Sequence, residues 1–363
     1  MFNKESMDFL EKLMMSSGTS GFEERTALVY REYLAKFADT VMTDVMGNTI
    51  GAINCKSAFK VMLAGHYDEI GFQVVHISDE GYLYIRNVGG IDRVTVPGTE
   101  VEVINSNGVI LGIIGKKPIH LVKEKERDQC PELKDLWVDI GVENKKEAEK
   151  LVNIGDPVTV KPNYKILGKH KIMSKGMDDK IGAFVVAETL KVLSKKKLSV
   201  GVYAVGTVQE ELGLRGATTS AFGIAPTVGF AVDVGFTTDV PDIEKKILGD
   251  VRLGKGPVIN RTADNNPVLY GMLKDTAKKK KIQIQEKAGF RASGGTDTSV
   301  IQLTRSGVAT ALISIPNRYM HTPVELCDLR DVEWAVNLLS ETIYQFKGNE
   351  DFTPKVAHKK FNP

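Results

Sequence analysis

Two carboxylates, Glu210 and Glu211, stand side by side in TVQEELGLRGA, directly after the apolar run LSVGVYAVG. Adjacent acids repel, and capping a helix needs only one of them, so either the pair is a solvated loop face or something positive sits there. The same kind of chemistry collects after other apolar runs. His66 and Asp68 follow the strand-like stretch in FKVMLAGHYDE, and Asp178 and Asp179 stand in KGMDDKIGA just before a helical pattern. Asp233 ends PTVGFAV, and His321 lies in NRYMHTP shortly after GVATALISI. Taken singly, a histidine after a strand is more often structural, and Asp-Asp before a helix is more often a cap. Taken together, two histidines and several carboxylates without matching bases repel strongly unless cations compensate. Carboxylate and imidazole donors suit zinc, cobalt or manganese, and a shared carboxylate suits two ions about 3.5–4 Å apart. Neighbouring residues leaving a strand point in different directions. One glutamate of the pair can therefore ligate a metal while the other faces the attacking water as general base.

The elements that must position these residues alternate. After about Lys165, helical patterns (DDKIGAFVVAETLKVL, NPVLYGMLKDTAKKKK, DVEWAVNLLSETIYQF) alternate with near-continuous apolar strands (LSVGVYAVGTV, PTVGFAVDV, GVATALISI). That texture predicts an α/β fold, a mostly parallel-stranded sheet between helices, with ligands at the carboxyl ends of its strands. Residues 71–164 read differently. Short alternating runs such as YLYIRNV, EVEVI and VILGIIG are broken by NVGG, VPG and NSNG, the mark of a β-rich module with tight turns. The expected organisation is one α/β domain from residues 1–70 and 165–350, a β-rich insert at 71–164, and a loose polar tail at 351–363. A lone strand and helix at the N-terminus would not bury a core, which argues against two sequential domains.

Bulk properties exclude several classes. Lys and Arg exceed Asp and Glu by only +2, so no overall field favours nucleic acid or membrane. Three widely spaced cysteines without a C-x-x-C argue against a disulfide framework and for a reducing, cytoplasmic setting. The opening MFNKESMDFLEKLMMSSG reads as an amphipathic helix with acids inside it, not a signal peptide. There is no G-x-x-x-x-G-K-[ST], G-x-S-x-G or H-E-x-x-H, and SGGTDTS (293–299) is weak evidence for phosphate because it opens no βα unit. Two rivals remain open from the residues alone. A glycosidase would use a pair of the carboxylates but leave His66 and His321 unexplained. A metal-free peptide-binding scaffold would leave the whole set unexplained.

The ordered set H-Y-D, M-D-D-K, Q-E-E-L-G, V-D-V and M-H-T-P resembles the tetrahedral aminopeptidase and glutamyl aminopeptidase family of dinuclear metallopeptidases. Members are also labelled cellulase-like or endoglucanase homologues. The likeness runs from SGTSGFE (17–23) through DVMGN (44–48) to HTPVE (321–325). The β-rich stretch between Asp68 and Asp178 favours this branch over related carboxypeptidases and deacylases, which carry their extra domain later. The resemblance implies a metal-dependent aminopeptidase that removes N-terminal residues from short peptides. It implies two divalent ions per chain, zinc or cobalt first and manganese next, with Asp178 bridging them. His66 and Asp233 would complete one site and Glu211 and His321 the other. Glu210 would be the general base, Asp68 would orient His66, and the Asp178–Asp179 peptide would be cis. It also implies an insert that mediates dimerisation, with dimers building a hollow tetrahedral dodecamer. His120, in the insert, has a structural reading and a functional one near an intersubunit edge. Phe290 and Arg291 are candidates for the pocket that receives the substrate's first residue, whose identity no motif fixes.

Overall fold

In the computed structural model, which describes residues 2–288 and 295–354, the apolar runs become strands of one eight-stranded sheet. From edge to edge the order is Thr40–Thr43, Thr49–Ile53, Gly201–Thr207, Lys60–His66, Val228–Phe236, Ala309–Asn317, Val258–Arg261 and Gln285–Ala288. The four strands from Gly201–Thr207 to Ala309–Asn317 run parallel. They are buried on both faces along nearly their whole length, which is why their sequences lack a polar alternation. Away from this centre the pairing is mixed. Thr49–Ile53 is antiparallel to Gly201–Thr207, and Val258–Arg261 is antiparallel to Ala309–Asn317. The first two strands are joined by only a few residues, and so short a connection can join strands only in antiparallel fashion. The mostly parallel sheet expected from sequence is therefore parallel at its centre and mixed towards its edges.

The helix Met177–Leu193 packs on the central strands and is buried almost everywhere, as its nearly all-round apolar sequence requires. Its first turn is irregular: Asp178 and Asp179 have non-helical backbone angles, and the peptide between them is cis. The strand carrying His66 approaches this helix closely. A Cβ on Gly65 would lie 2.6 Å from the backbone of Gly182 and Ala183, so only glycine fits there.

Between Asp68 and Asp178 six strands close into a barrel: Gly71–Ile77, Leu83–Val88, Glu100–Asn105, Gly108–Lys116, Leu136–Asp139 and Pro157–Val160. Closure leaves no free strand edge, and Phe72, Leu83, Val103 and Val138 fill a core separate from that of the main sheet. A small three-stranded sheet follows, in which Lys171–Ser174 pairs with both Lys165–Leu167 and Glu325–Asp328. It ties the chain returning from the barrel to the segment just after His321.

Of the tail, residues 351–354 are described. Phe352 is buried against Phe59 and Phe346, and its carbonyl accepts the Asn266 side-chain amide at 2.9 Å. Residues 355–363 lie outside the described residues. Among the described residues no helix is long and apolar enough to cross a membrane.

Candidate dinuclear metal centre

The carboxyl ends of the four central strands meet in one place. His66 closes Lys60–His66 in register with Thr207, three residues before Glu210. Asp233 lies near the end of Val228–Phe236, opposite Ser314, and His321 follows that neighbouring strand by a short loop. Asp178 comes from the irregular helix start beneath them.

Asp178 stands between the two histidines. Its Oδ1 lies 3.2 Å from His66 Nε2 and its Oδ2 lies 3.2 Å from His321 Nε2. Around His66 Nε2, Glu210 Oε2 is at 3.8 Å and Asp233 Oδ1 at 3.9 Å. On the other side Glu211 Oε1 is 3.4 Å from His321 Nε2. Two donor groups result, His66–Asp178–Asp233 and Asp178–Glu211–His321, each with its donor atoms within 4.8 Å of one another. Asp178 belongs to both and Glu210 to neither.

The electrostatics match a centre built for cations. Burial first, with neighbouring acids adding to it and His66 opposing, pushes the Asp233 carboxyl well up and Glu210 to about 10. Burial likewise raises Glu211. Burial would lower His66, but Glu210, Asp178 and Asp68 override it, and contacts with Asp178 and Glu211 raise His321 to about 11. Asp178 is lowered despite its burial, because both histidines donate to it. Cations held among these acids would let them ionise together. Two imidazoles and three carboxylates, one of them shared, are the donor set that two divalent ions of the zinc, cobalt or manganese type accept. The residues fit that pair of ions.

Asp68 is fully buried and does not line the cavity. Its carboxylate accepts the Glu210 N–H at 3.0 Å, the Glu211 N–H at 3.2 Å and the Ser20 hydroxyl. His66 Nδ1 lies 3.1 Å from the Asp68 carbonyl and 3.5 Å from its carboxylate, so the carbonyl is the nearer partner. Asp68 therefore clamps the paired-glutamate turn as well as flanking His66. The same turn is braced from the N-terminal motifs. Asn48 Oδ1 accepts the Val208 N–H at 3.1 Å, and Glu23 Oε1 accepts the Gln209 N–H at 3.2 Å. These bonds explain why SGTSGFE and DVMGN accompany a site to which they contribute no ligand.

Three features were not singled out from the sequence. Glu325, buried, accepts the Asp178 N–H at 3.0 Å and the His321 N–H at 2.9 Å, so one carboxylate fixes two candidate ligands. His321 has φ +63, an uncommon backbone state that this bond helps hold. Asp297 accepts the Thr207 hydroxyl at 2.7 Å, at the end of the strand that leads to Glu210. Glu69, next to Asp68, receives both Lys175 and Lys180 (the latter at 3.0 Å), all three buried. Glu69 also accepts the Thr159 hydroxyl at 3.2 Å, which joins the site's floor to the barrel. Burial would raise Glu69, but the two ammoniums hold it at about 2, while burial draws Lys180 down to about 8. Glu69's shift follows the pairing and Lys180's follows its burial; the contact geometry, with both ammoniums on one carboxylate, argues that Glu69 and Lys180 form an ion pair.

His120 is exposed in the turn Ile119–Leu121 and takes no part in lining the cavity. Phe290 and Arg291 lie outside the described residues. The cavity itself, about 570 Å³, opens in front of His66, Asp178, Glu210, Glu211, Asp233 and His321.

Comparison with known proteins agrees with this arrangement. The family model described as M42 glutamyl aminopeptidase matches residues 47–338. A lysyl aminopeptidase of Pyrococcus furiosus is 37% identical over 352 residues, covering 96% of this chain and 99% of the relative. The crystal structure of a TET aminopeptidase from a marine-sediment Thaumarchaeota archaeon superposes with a TM-score of 0.89 at 34% identity, covering 94% of this chain and 96% of that one. A Pyrococcus horikoshii TET1 peptidase, described as able to assemble into a tetrahedron or a large octahedral shell, gives 0.85 at 33% identity and covers 94% and 100%. The glycosidase alternative is not favoured by these likenesses.

Proposed function

This chain belongs to the M42 glutamyl aminopeptidase family and is a metal-dependent aminopeptidase, and from that premise we propose how its own residues divide the work. Asp178 would serve two divalent ions, zinc or cobalt first and manganese next; His66 and Asp233 would help hold one, Glu211 and His321 the other. When bound, such ions supply Lewis acidity that polarises a peptide carbonyl and makes water more acidic. Glu210 Oε2 takes up the proton of the attacking water and passes it to the departing amine. Asp68 fixes the direction in which Glu210 and Glu211 leave their strand, and Glu325 fixes Asp178 against His321. The observation that carries this reading is the division of Asp178, one oxygen to each histidine at 3.2 Å.

Residues 1–70 and 165–350 form the catalytic unit in this reading, and residues 71–164 the module through which copies pair. Leu111 and Ile113 on a barrel strand, and Ile119 and Leu121 just after it, are exposed apolar residues of the kind that cover one another in self-association. The TET1 relatives, one described as able to form a tetrahedron and one as a dodecamer, support pairing into a tetrahedral dodecamer, whose interior would admit short peptides. The free cysteines Cys55, Cys130 and Cys327 support a cytoplasmic setting.

The test is release of N-terminal residues from peptides with free and with acetylated N-termini, before and after chelation. The reading expects cleavage of the free peptides only, lost on chelation and restored by added zinc or cobalt. Equal rates on blocked and free peptides would end it.

A further inference from the structure

The cavity extends well past the candidate ligands, and among the described residues its far wall carries one cation. Val234, Phe236, Val251, Val258, Leu312 and Met320 make much of the wall apolar. Two charged side chains join them beyond the acidic centre, Asp264 and Lys287. Asp264 is buried, and its Oδ1 already accepts the Gln302 side-chain amide at 2.8 Å. Lys287 is differently placed. It lies on the edge strand Gln285–Ala288, in register with Asn260, which lines the same cavity. Its Nζ rests 4.1 Å from the centre of the Phe236 ring. No carboxylate pairs with it among the described residues, and every Asp and Glu of the sequence lies among those residues. A half-buried ammonium on an aromatic face, facing a cavity and lacking a counter-ion, is an unmet demand for an anion. Burial lowers its pKa, with no acid holding it up.

Resting on the aminopeptidase reading above, we propose that Lys287 is the specificity residue of the pocket and selects substrates whose first residue is acidic. Phe236 is three residues beyond Asp233, roughly 10 Å of extended strand. That span accommodates the first residue's Cα, a glutamate-length side chain and one hydrogen bond to Nζ. The apolar wall then packs the methylenes of that side chain while Lys287 takes its carboxylate, the only group of the residue that the wall cannot satisfy. Family membership does not decide this preference, since the family is described as glutamyl and the Pyrococcus furiosus relative as lysyl. The rival within the cavity is Asp264, which would favour a basic first residue; its bond to Gln302 argues that it is already committed.

The experiment compares kcat/KM of the metal-loaded enzyme on glutamyl, aspartyl, leucyl and lysyl anilides. The glutamyl substrate is expected to exceed the lysyl one by about tenfold or more. Lys287→Met should lower the glutamyl-to-leucyl ratio by about 10- to 100-fold, the worth of a charge-assisted hydrogen bond in a partly dry pocket. Lys287→Arg should keep the acidic preference, and Lys287→Glu should move it to the lysyl substrate. Bound metal, measured on each variant, shows that its site is still assembled. A wild-type preference for lysine or leucine, or an unchanged ratio in an assembled Lys287→Met, overturns the assignment of Lys287 while leaving the aminopeptidase reading in place. Failure of the metal-loaded wild type to cleave any anilide overturns both.

Discussion

Asp68→Asn isolates the clamp beneath the paired glutamates. The wild-type carboxylate gives one oxygen to the Glu210 N–H at 3.0 Å and the other to the Glu211 N–H at 3.2 Å and to Ser20. Asparagine has the same shape but only one accepting oxygen. If that oxygen faces Glu210, the amide NH₂ confronts the Glu211 N–H; if it faces Glu211 and Ser20, it confronts the Glu210 N–H. Either orientation leaves one buried backbone donor unpaired beside another donor, at a cost of about 1–3 kcal/mol. Because the orphan lies at the residues proposed as base and ligand, part of that cost is met by rotating the turn. The expected result is a fall in kcat of several-fold up to about 150-fold, at about 1.4 kcal/mol per factor of ten. Ser20→Ala, which leaves both N–H groups satisfied, should lower kcat much less. The assay is steady-state anilide hydrolysis, with bound metal measured on the same samples. An Asp68→Asn enzyme with wild-type kcat, or one no worse than Ser20→Ala, would refute the clamp.

Other perturbations test the surroundings. Glu69→Gln leaves Lys175 and Lys180 buried together without their carboxylate and should destabilise the fold by about 3–5 kcal/mol, read from thermal or denaturant unfolding. Glu69 is held at about 2 in the fold and titrates nearer 4.5 when unfolded. Its contribution is therefore present above about 4.5 and lost as pH falls towards 2, so wild type should lose stability across that window and Glu69→Gln should lose less. Asp178→Ala should lose both ions in metal analysis, because both donor groups contain it; retention of one ion would show that it is no bridge. Chelation should lower the thermal midpoint as well as activity, since ions that bind only the folded chain stabilise it by mass action, by about 4 kcal/mol at a thousand times Kd.

The convergence of the strand ends was legible because buried parallel strands advertise themselves as unbroken apolar runs, and the residue after each run must emerge at the same sheet edge. His66, Glu210, Glu211 and Asp233 are placed by that rule alone. Glu325 and Asp297 were not, although both stand in motifs that were read. A lone acid gives no local pattern, and its role comes from meeting backbone N–H groups or a hydroxyl delivered by distant segments. Lys287 was missed for a related reason: its isolation from the carboxylates among the described residues is a tertiary fact. Strand direction at the sheet edges was illegible because a short apolar run has the same periodicity whichever way it pairs. Alternation and tight turns revealed the β-rich insert, but its closure into a barrel depends on which of the six strands become neighbours.

The proposed chemistry requires the two glutamates to do different work, Glu211 as ligand and Glu210 as base. The most direct measurement is metal content per chain alongside kcat for Glu210→Gln, with Glu211→Gln beside it. Glu210→Gln should keep two ions while kcat falls by about 10²–10⁴, because an amide of the same size cannot accept the proton. Glu211→Gln should weaken one ion, with activity partly restored by added zinc or cobalt. Loss of an ion from Glu210→Gln with both kept by Glu211→Gln would reverse the roles, and full metal with full activity in both would reduce the pair to a loop face.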